Sequence, residues 1–289
     1  MTSVTLLLLL ITALWLNVNS LSSPTNAQPK RQRIPVLQYH NSWVCVDKPC
    51  GLTVHRSKGT PKHVKVLTTS VKRQLARKVF PVHRLDHRTS GAMLLAFDSE
   101  TAGKLHDAAI RKGHKQYLAL VRGEWNREES SVLVDKPLRV KGTIKDAMTK
   151  FTLLATTKGR EDDRCSLLLC EPLTGRTHQI RRHAFDIGHP IIGDSQHGSS
   201  RCNRYWRENK EWNRLALHCW KLDFEFDGEQ RECIAPISFQ LKKILNEMEL
   251  WDEIIAIEPR LSMEPFDIKG GTHGRHFRKR RDEEDSDEI

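Results

Sequence analysis

The stretch FPVHRLDHRTSGAMLLAF, residues 80–97, decides the fold because it joins a charged cluster directly to an apolar run. The run Ala92–Phe97 predicts a buried strand. The cluster before it consists of His83, Arg84, Asp86, His87 and Arg88. Placing charges beside a buried strand costs free energy unless they are paired, so this cluster is either a solvated, salt-bridged turn or a functional site.

Further strands are predicted on both sides of this stretch. PVLQYHNSWVCVDKPCG, residues 35–51, alternates apolar residues and predicts one strand that runs into a turn. Apolar runs predict three more strands, in KQYLALVRG (115–123), KDAMTKFTLLATT (145–157) and CSLLLCEP (165–172). Asp227 and Gly228 predict a hairpin turn between two later strands.

Helical spacing predicts four helices, interleaved irregularly with the strands: Ser70–Arg77, a helix capped by Ser99 that runs to Arg111, His178–Ile187 capped by Thr177, and Phe239–Ile257. On the third helix Ile180, Ala184 and Ile187 share one face, while Arg181 lies on a neighbouring face that can reach into a cleft. This irregular order, with several hairpin signals, favours an α+β fold over a doubly wound sheet.

The composition restricts the class of protein. The 289 residues carry 47 Lys and Arg against 36 Asp and Glu, a formal net charge of +11, which favours a polyanionic partner, nucleic acid before a membrane surface. The seven cysteines include no CxxC pair, so we expect reduced packing residues and no metal site.

The two ends of the chain differ in composition from the middle. Residues 1–33 hold an apolar stretch, Val4–Leu16, typical of a signal-peptide core, followed by a Ser-, Thr- and Arg-containing stretch with no acid before Asp47, typical of a transit peptide. This leader predicts an organelle, a plastid entered through the secretory route being favoured over mitochondrion or cytoplasm. Residues 263–289 turn from basic to acidic and predict a disordered tail.

Residues 34–262 therefore form the predicted folded domain, and three motifs in it resemble a known family. HRLDHRTSGAMLLA is similar to the HRLDxxTSGxLLxA signature of the RluA-type pseudouridine synthases, and KQYLALVRG and GRTHQIRRHAFDIGHPIIGDSQHG (175–198) match two further segments in the same order. The resemblance covers roughly residues 35–236. Within the family the chain looks most like the TruC branch, which acts at uridine 65 of tRNA.

The resemblance implies a fold and a mechanism. The implied fold is a mixed, largely antiparallel sheet with a central cleft flanked by helices and loops. The implied reaction isomerises uridine to pseudouridine without a cofactor, with Asp86 either attacking C1′ or removing a C2′ proton. Arg181 corresponds to the arginine that pairs with this carboxylate, in bidentate fashion, and Tyr117 to the tyrosine that stacks on the uracil. Arg84 corresponds to the arginine associated with flipping the nucleotide.

RNA binding is predicted to come from the basic surface. Residues 199–218 interleave cations with aromatic rings, and the candidates for contacts to phosphates and bases are Arg201, Arg204, Trp206 and Arg207. We expect a monomer that acts on tRNA and has no membrane association in its mature form.

Three alternative functions are left open by the sequence. The nearest is a ribosomal RNA synthase of the same family. A catalytically silent RNA-binding or chaperone protein would keep the fold, although mere binding does not require Asp86, Tyr117 and Arg181 together. A secreted hydrolase would fit the leader, but the chain has neither a nucleophile elbow nor a metal motif.

Overall fold

The computed structural model describes the part of the chain that carries all three motifs, namely residues 33–56, 61, 64–157 and 163–263. Those from Ile34 onward belong to one compact unit. Apart from Arg33 and Met263, the predicted leader and the predicted tail lie outside the described residues. Across the described ranges, no helix is long and apolar enough to cross a membrane.

A ten-stranded sheet forms the centre of this unit, and two further strands form a separate hairpin. The strands are β1 Val36–Tyr39, β2 Trp43–Lys48, β3 Phe80–Pro81, β4 Ser90–Ala96, β5 His114–Arg122, β6 Ser131–Asp135, β7 Leu138–Val140, β8 Thr143–Lys145, β9 Met148–Thr156, β10 Cys165–Pro172, β11 Leu217–Phe226 and β12 Glu229–Ile234. The order in the sheet is β1-β2-β4-β11-β5-β10-β9-β6, with β3 paired to β4 and β12 to β11, and the hairpin is formed by β7 and β8. All neighbours in the sheet are antiparallel except β4 and β11, so the predicted α+β fold with a mixed, largely antiparallel sheet is confirmed.

The predicted strand after the charged cluster lies in the interior of this sheet. All seven residues of β4 are buried, because β2 and β11 flank the strand. Gly91 makes the parallel contact with β11 possible, since a Cβ at this position would collide with the carbonyl group of Cys219. The charged cluster therefore leads into a strand whose position is fixed on both sides.

Six α-helices pack around the sheet in the described ranges, and a π-helical segment, His106–Lys112, continues the second of them. The predicted cap at Ser99 is wrong, because the Asp98 side chain accepts the N–H of Thr101 at 2.7 Å. The helices are α1 Leu67–Leu75, α2 Ser99–Leu105, α3 Gln179–Asp186, α4 Ser200–Asn209, α5 Phe239–Glu247 and α6 Trp251–Ile257, and a 3-10 turn follows at Pro259–Ser262.

Two other predicted elements are divided in the structure. Residues 35–51 form two strands, because His40 donates its N–H to the Trp43 carbonyl at 2.8 Å and closes a tight turn. The predicted helix Phe239–Ile257 is broken into α5 and α6 at Glu249, whose left-handed φ of 57° interrupts the helix. The hairpin predicted at Asp227 and Gly228 is confirmed, with φ values of 54° and 75°.

Two hydrophobic cores lie side by side along the sheet. One contains β4 and α1, and the other contains the centres of β9 and β10 together with α3 and α5. Tyr117 of β5 packs against both. Six of the seven cysteines are buried, as predicted for packing residues. The boundary between the two cores is therefore marked by the tyrosine of the second motif.

Candidate active site

A cleft of about 930 Å³ opens beside Tyr117. Its walls come from the loop between β3 and β4, the π-helical segment, the turn after β10 and the beginning of α3. Four residues predicted from the sequence line it, namely Arg84, Asp86, Tyr117 and Arg181. Its volume falls in the range of small-molecule sites.

Asp86 lies in a loop whose backbone is hydrogen-bonded to the turn that follows β2. The N–H of Gly51 donates to the carbonyl of His87 at 2.9 Å, and the Sγ of Cys50 contacts the carbonyl of Arg88 at 3.0 Å. Lys48 Nζ also donates to the His87 carbonyl, at 3.2 Å. The loop after β2 therefore supports the backbone on which Asp86 is carried.

Lys48 is a functional candidate that the sequence reasoning missed, since it was assigned only to a turn. The side chain is fully buried, and this burial lowers the pKa of the ammonium group to about 8, although the neighbouring Cys50, Asp86 and Asp47 favour its charge. A lysine directly before Pro49 and Gly51, at the end of an apolar strand, is the signal that was available. The Lys48 side chain places a buried positive charge against the loop that carries Asp86.

Arg181 joins the Asp86 loop to helix α3. Its Nη1 donates to Asp86 Oδ2 at 3.1 Å, while Nε and Nη2 donate to Oδ2 and Oδ1 of Asp194 at 2.7 and 2.8 Å. Nη2 also donates to Gln196 Oε1 at 3.0 Å. The predicted ion pair with Asp86 is present, but the predicted bidentate geometry is wrong, because the two-pronged contact is made with Asp194.

Asp194 is the second residue that the sequence reasoning missed. Its burial opposes its charge, yet hydrogen bonds from Arg181 and from the N–H groups of Gln196 and His197 lower its pKa to about 2. Burial likewise opposes the charge of Arg181, but both carboxylates together raise its pKa. Both groups stay ionised at neutral pH, so Asp194 holds the guanidinium in one orientation.

The two oxygens of Asp86 have different surroundings. Oδ2 contacts Arg181 Nη1 at 3.1 Å and His178 Nε2 at 3.7 Å, and the side chain is 29% exposed. In the part of the chain that the structure describes, the hydrogen bond to this carboxylate is made to Oδ2, and Oδ1 accepts none. A carboxylate held through one oxygen can present the other to a substrate in the cleft.

His178 occupies the cap position of helix α3 and was predicted to be the first residue of that helix. The predicted cap, Thr177, is wrong, since the residue at the cap position is His178, with a left-handed φ of 55° and no capping side chain. Its Nδ1 lies 3.1 Å from Nε2 of His197. An outlier backbone at a cleft of this kind is a marker of function.

Tyr117 reaches the cleft from between the two cores. Burial, together with the neighbouring Cys219 and Asp86, raises the pKa of its hydroxyl well above the usual range. The hydroxyl therefore stays protonated at neutral pH, which makes it a donor and a poor base. Tyr117 and Asp86 line the same cleft.

His83 shapes the loop before Asp86. Its Nε2 accepts the N–H of Leu94 at 3.1 Å, and burial lowers the pKa of the imidazole to about 3. The ring is neutral at any physiological pH. It holds the loop against β4 and supplies no charge to the cleft.

The predicted RNA-binding residues are divided between two places. Arg84 is exposed at the cleft, and the cleft is also lined by Arg111, Lys115 and Arg176. The other three predicted arginines are exposed on α4 and are not among the residues that line the cleft: Arg201, Arg204 and Arg207.

The prediction for Trp206 is wrong. The side chain is 0% exposed and belongs to the core, together with Cys202 one helical turn before it. The segment that contains it is a helix rather than a solvated loop, capped by the Ser199 side chain. A ring with no exposed surface has no access to RNA bases.

No group of three or more His, Cys, Asp or Glu side chains that could hold a metal ion occurs among the described residues. The cleft is lined by a carboxylate paired with a guanidinium, a protonated phenol and the neutral imidazoles of His83 and His178, on a sheet at the boundary of two cores. This set of groups serves nucleophilic and proton-transfer chemistry.

Comparison with known proteins assigns this fold and site to a class. The family model "RNA pseudouridylate synthase" matches residues 42–185. A protein of Vibrio parahaemolyticus named tRNA pseudouridine synthase C is 33% identical over 230 residues, which are 73% of this chain and 93% of that protein. A protein of the same name from Salmonella typhimurium is 38% identical over 204 residues, 64% of this chain and 78% of that one.

Solved structures show the same fold. Human RNA Pseudouridylate Synthase Domain Containing 1 superposes with a TM-score of 0.58 at 22% identity, covering 86% of this chain and 95% of that one. Human RNA Pseudouridylate Synthase Domain Containing 4 gives a TM-score of 0.56 at 21% identity, with coverages of 74% and 93%. The chain belongs to the RNA pseudouridylate synthase family, whose members are isomerases that convert uridine in RNA to pseudouridine.

Proposed function

We propose that this protein isomerises uridine to pseudouridine in tRNA, with Asp86 as the catalytic carboxylate. The observation that carries the proposal is the Arg181 guanidinium, which holds Asp86 through Oδ2 at 3.1 Å at the wall of the cleft. Asp86 is thereby aimed and kept from rotating, while its second oxygen stays available.

The reaction itself sets what the site has to supply. The bond from uracil N1 to ribose C1′ breaks, the base turns in the site, and a new bond forms from C5 to C1′. No electrons are gained or lost overall, so side chains suffice. Asp86 either attacks C1′ or removes a C2′ proton, and both routes start from a charged carboxylate beside the ribose.

Tyr117 and Arg84 are proposed to hold the base and the opened strand. The Tyr117 ring stacks on the detached uracil, and its protonated hydroxyl can donate a hydrogen bond to it. Arg84, exposed at the cleft, contacts a phosphate or fills the space that the extruded nucleotide leaves. The arginines of α4, Arg201, Arg204 and Arg207, are proposed to contact more distant phosphates.

The choice of tRNA rests on the relatives. Two proteins that are 33% and 38% identical carry the name tRNA pseudouridine synthase C. Uridine 65 is proposed as the target on the likeness to the TruC branch. Ribosomal RNA is the alternative substrate of the same chemistry.

The test is pseudouridine mapping of isolated tRNA and ribosomal RNA after incubation with the full chain. Carbodiimide-blocked primer extension places each new pseudouridine as a stop. We expect one new stop in tRNA, at uridine 65. Product in ribosomal RNA alone would transfer the proposal to that substrate, and binding without product in either RNA would favour a silent RNA-binding protein.

We also propose that residues 1–33 direct the protein to an organelle, with a plastid favoured. The support is compositional, an apolar stretch followed by residues without an acid. Fusion of these residues to a fluorescent reporter is expected to label plastids. Reporter in the medium, in mitochondria or throughout the cytoplasm would contradict this destination.

A further inference from the structure

The proposed reaction leaves one proton without an assigned acceptor. Once C5 has bonded to C1′, it still carries its hydrogen, and this proton has to leave before the ring regains its C5=C6 double bond. The C–H electron pair then forms that double bond, a pair moves to N1, and N1 takes a proton. A base close to the turned uracil is therefore required.

Tyr117 is poorly suited to be this base. Its raised pKa keeps the hydroxyl protonated at neutral pH, as burial beside Cys219 and Asp86 demands. Lys48 is bound to the carbonyls of Pro49 and His87 and is fully buried beneath the loop. Directly beside Asp86, two candidates remain, the Asp86 carboxylate itself and the imidazole of His178.

His178 has the position that this step requires. It lines the cleft, it is 26% exposed, and its Nε2 lies 3.7 Å from Asp86 Oδ2. A uracil ring held beside Asp86 is consequently within reach of the Nε2 atom of His178. The opposite ring nitrogen, Nδ1, is 3.1 Å from Nε2 of His197, which is partly exposed.

The geometry points to a proton exit formed by His178 and His197, and we propose that His178 takes the C5 proton while His197 passes it to solvent. This inference rests on the proposed function. The C5 proton moves to His178 Nε2, the proton on His178 Nδ1 moves to His197 Nε2, and the proton on His197 Nδ1 goes to water. Each ring ends as neutral as it began once solvent has exchanged the tautomers.

The charges around the pair suit this role. Burial lowers the pKa of both imidazoles, and Arg181 and Arg182 lower them further, whereas Asp194 acts in the opposite direction on both and Asp86 does so on His178. Both rings are neutral acceptors at neutral pH. The adjacent Asp86 carboxylate stabilises the imidazolium that forms for the duration of the transfer.

The backbone of His178 allows a clean substitution. Its φ of 55° lies in the left-handed region, which asparagine tolerates best among residues with a side chain. His178→Asn therefore removes the acceptor and preserves the start of α3. His197→Asn breaks the second link, and His114→Asn, at an exposed position that does not line the cleft, is the matched control.

The experiment compares single-turnover rates on tRNA with ordinary uridine and with 5-deuterouridine, using the full chain and these three variants. We expect His178→Asn to slow product formation about 10²-fold and to enlarge the isotope effect, because removal of the C5 proton becomes rate-limiting. His197→Asn should slow it less, with an isotope effect above that of the unaltered protein. The rate with the unaltered protein should fall on acidification only below the ordinary histidine pKa of about 6.5.

The outcomes distinguish a failure of the proposed function from a failure of the proposed proton exit. An unaltered protein that forms no pseudouridine overturns the proposed function and this inference with it. An active protein whose His178→Asn variant matches His114→Asn overturns the inference alone and leaves Asp86 as the base. A slow His178→Asn variant with an unchanged isotope effect shows that His178 only supports the structure, and thermal unfolding of each variant accompanies the rates.

Discussion

Two carboxylates share one guanidinium in this protein, and their surroundings differ sharply. Asp194 is 1% exposed and meets Arg181 through two hydrogen bonds of 2.7 and 2.8 Å. Asp86 is 29% exposed and meets it through a single bond of 3.1 Å at the wall of the cleft. One side of the arginine is a fixed anchor, and the other holds a group that has an oxygen left to react.

The anchor explains why the arginine can position Asp86 at all. An arginine side chain at the wall of an open cleft can adopt several rotamers, and restricting it to one of them costs conformational entropy. Asp194 restricts them, and its own carbonyl is in turn bound by the side chain of Asn203 at 2.7 Å. Asn203 lies on α4, so hydrogen bonds through Asp194 and Arg181 connect this helix to the loop that carries Asp86.

The largest expected effect comes from changing the group that both carboxylates share. Arg181→Lys keeps one charge but cannot reach Asp194 and Asp86 together, since an ammonium has no planar fork. We expect kcat for pseudouridine formation to fall about 10³-fold. Arg182→Lys is the matched control. Among the described residues the Arg182 side chain hydrogen-bonds to the exposed Arg139 carbonyl alone, and lysine keeps its charge, so kcat should stay within twofold. Equal losses in both variants would mean that the effect is one of helix stability.

Asp194→Asn should lower the stability of the fold, and this effect distinguishes the anchoring role of Asp194 from the catalytic role of Asp86. Breaking one side of a buried ion pair costs about 3 kcal/mol, and the amide leaves Arg181 paired with Asp86 alone. Urea denaturation measures this loss, which Asp86→Asn, at a partly exposed position, should not show. A variant as stable as the unaltered protein would refute the role of Asp194 as an anchor.

The free energy of unfolding should depend on pH through the Asp194 carboxylate. Because folding depresses the pKa of Asp194 to about 2, below its unfolded value of about 3.9, its contribution is complete above pH 4. It is lost as pH falls from about 4 towards 2, and amounts to about 2 to 3 kcal/mol. Asp194→Asn should flatten the free energy of unfolding over this interval. An unaltered slope in the variant would assign the acid loss to other carboxylates.

The smallest effect is expected from a cation that touches neither carboxylate. Arg204→Ala, on the exposed face of α4, should weaken tRNA binding and reduce the salt slope of log K by about 1, with kcat unchanged. Filter binding at several salt concentrations measures both quantities. Binding that keeps its full salt slope would remove α4 from the proposed RNA surface.

The motif residues were predictable from the sequence, whereas their anchors were not. Asp86, Tyr117 and Arg181 stand in segments that resemble the family, and the structure brings them to one cleft. Asp194 reaches Arg181 only after α3 and the following turn have folded back. A single Asp after the apolar pair Ile191 and Ile192 was its only local signal, so no spacing rule predicted the bidentate pair.

The errors elsewhere have similar physical causes. Trp206 was assigned to RNA because arginines surround it, yet Cys202 four residues earlier gives the spacing of a buried helix face. The apolar spacing of α5 continues into α6 across Glu249, so the pattern did not show the break that its backbone introduces. The turn at Asp227 and Gly228 was predictable because its chemistry is local.

The most direct test of the account is pseudouridine mapping of tRNA incubated with the full chain and with its Asp86→Asn variant, both shown to be folded by circular dichroism. The account predicts a new stop with the unaltered protein and none with the variant, whose shape is preserved while its charge and its reactive oxygen are lost. A variant that still forms pseudouridine would contradict the assignment of the chemistry to Asp86.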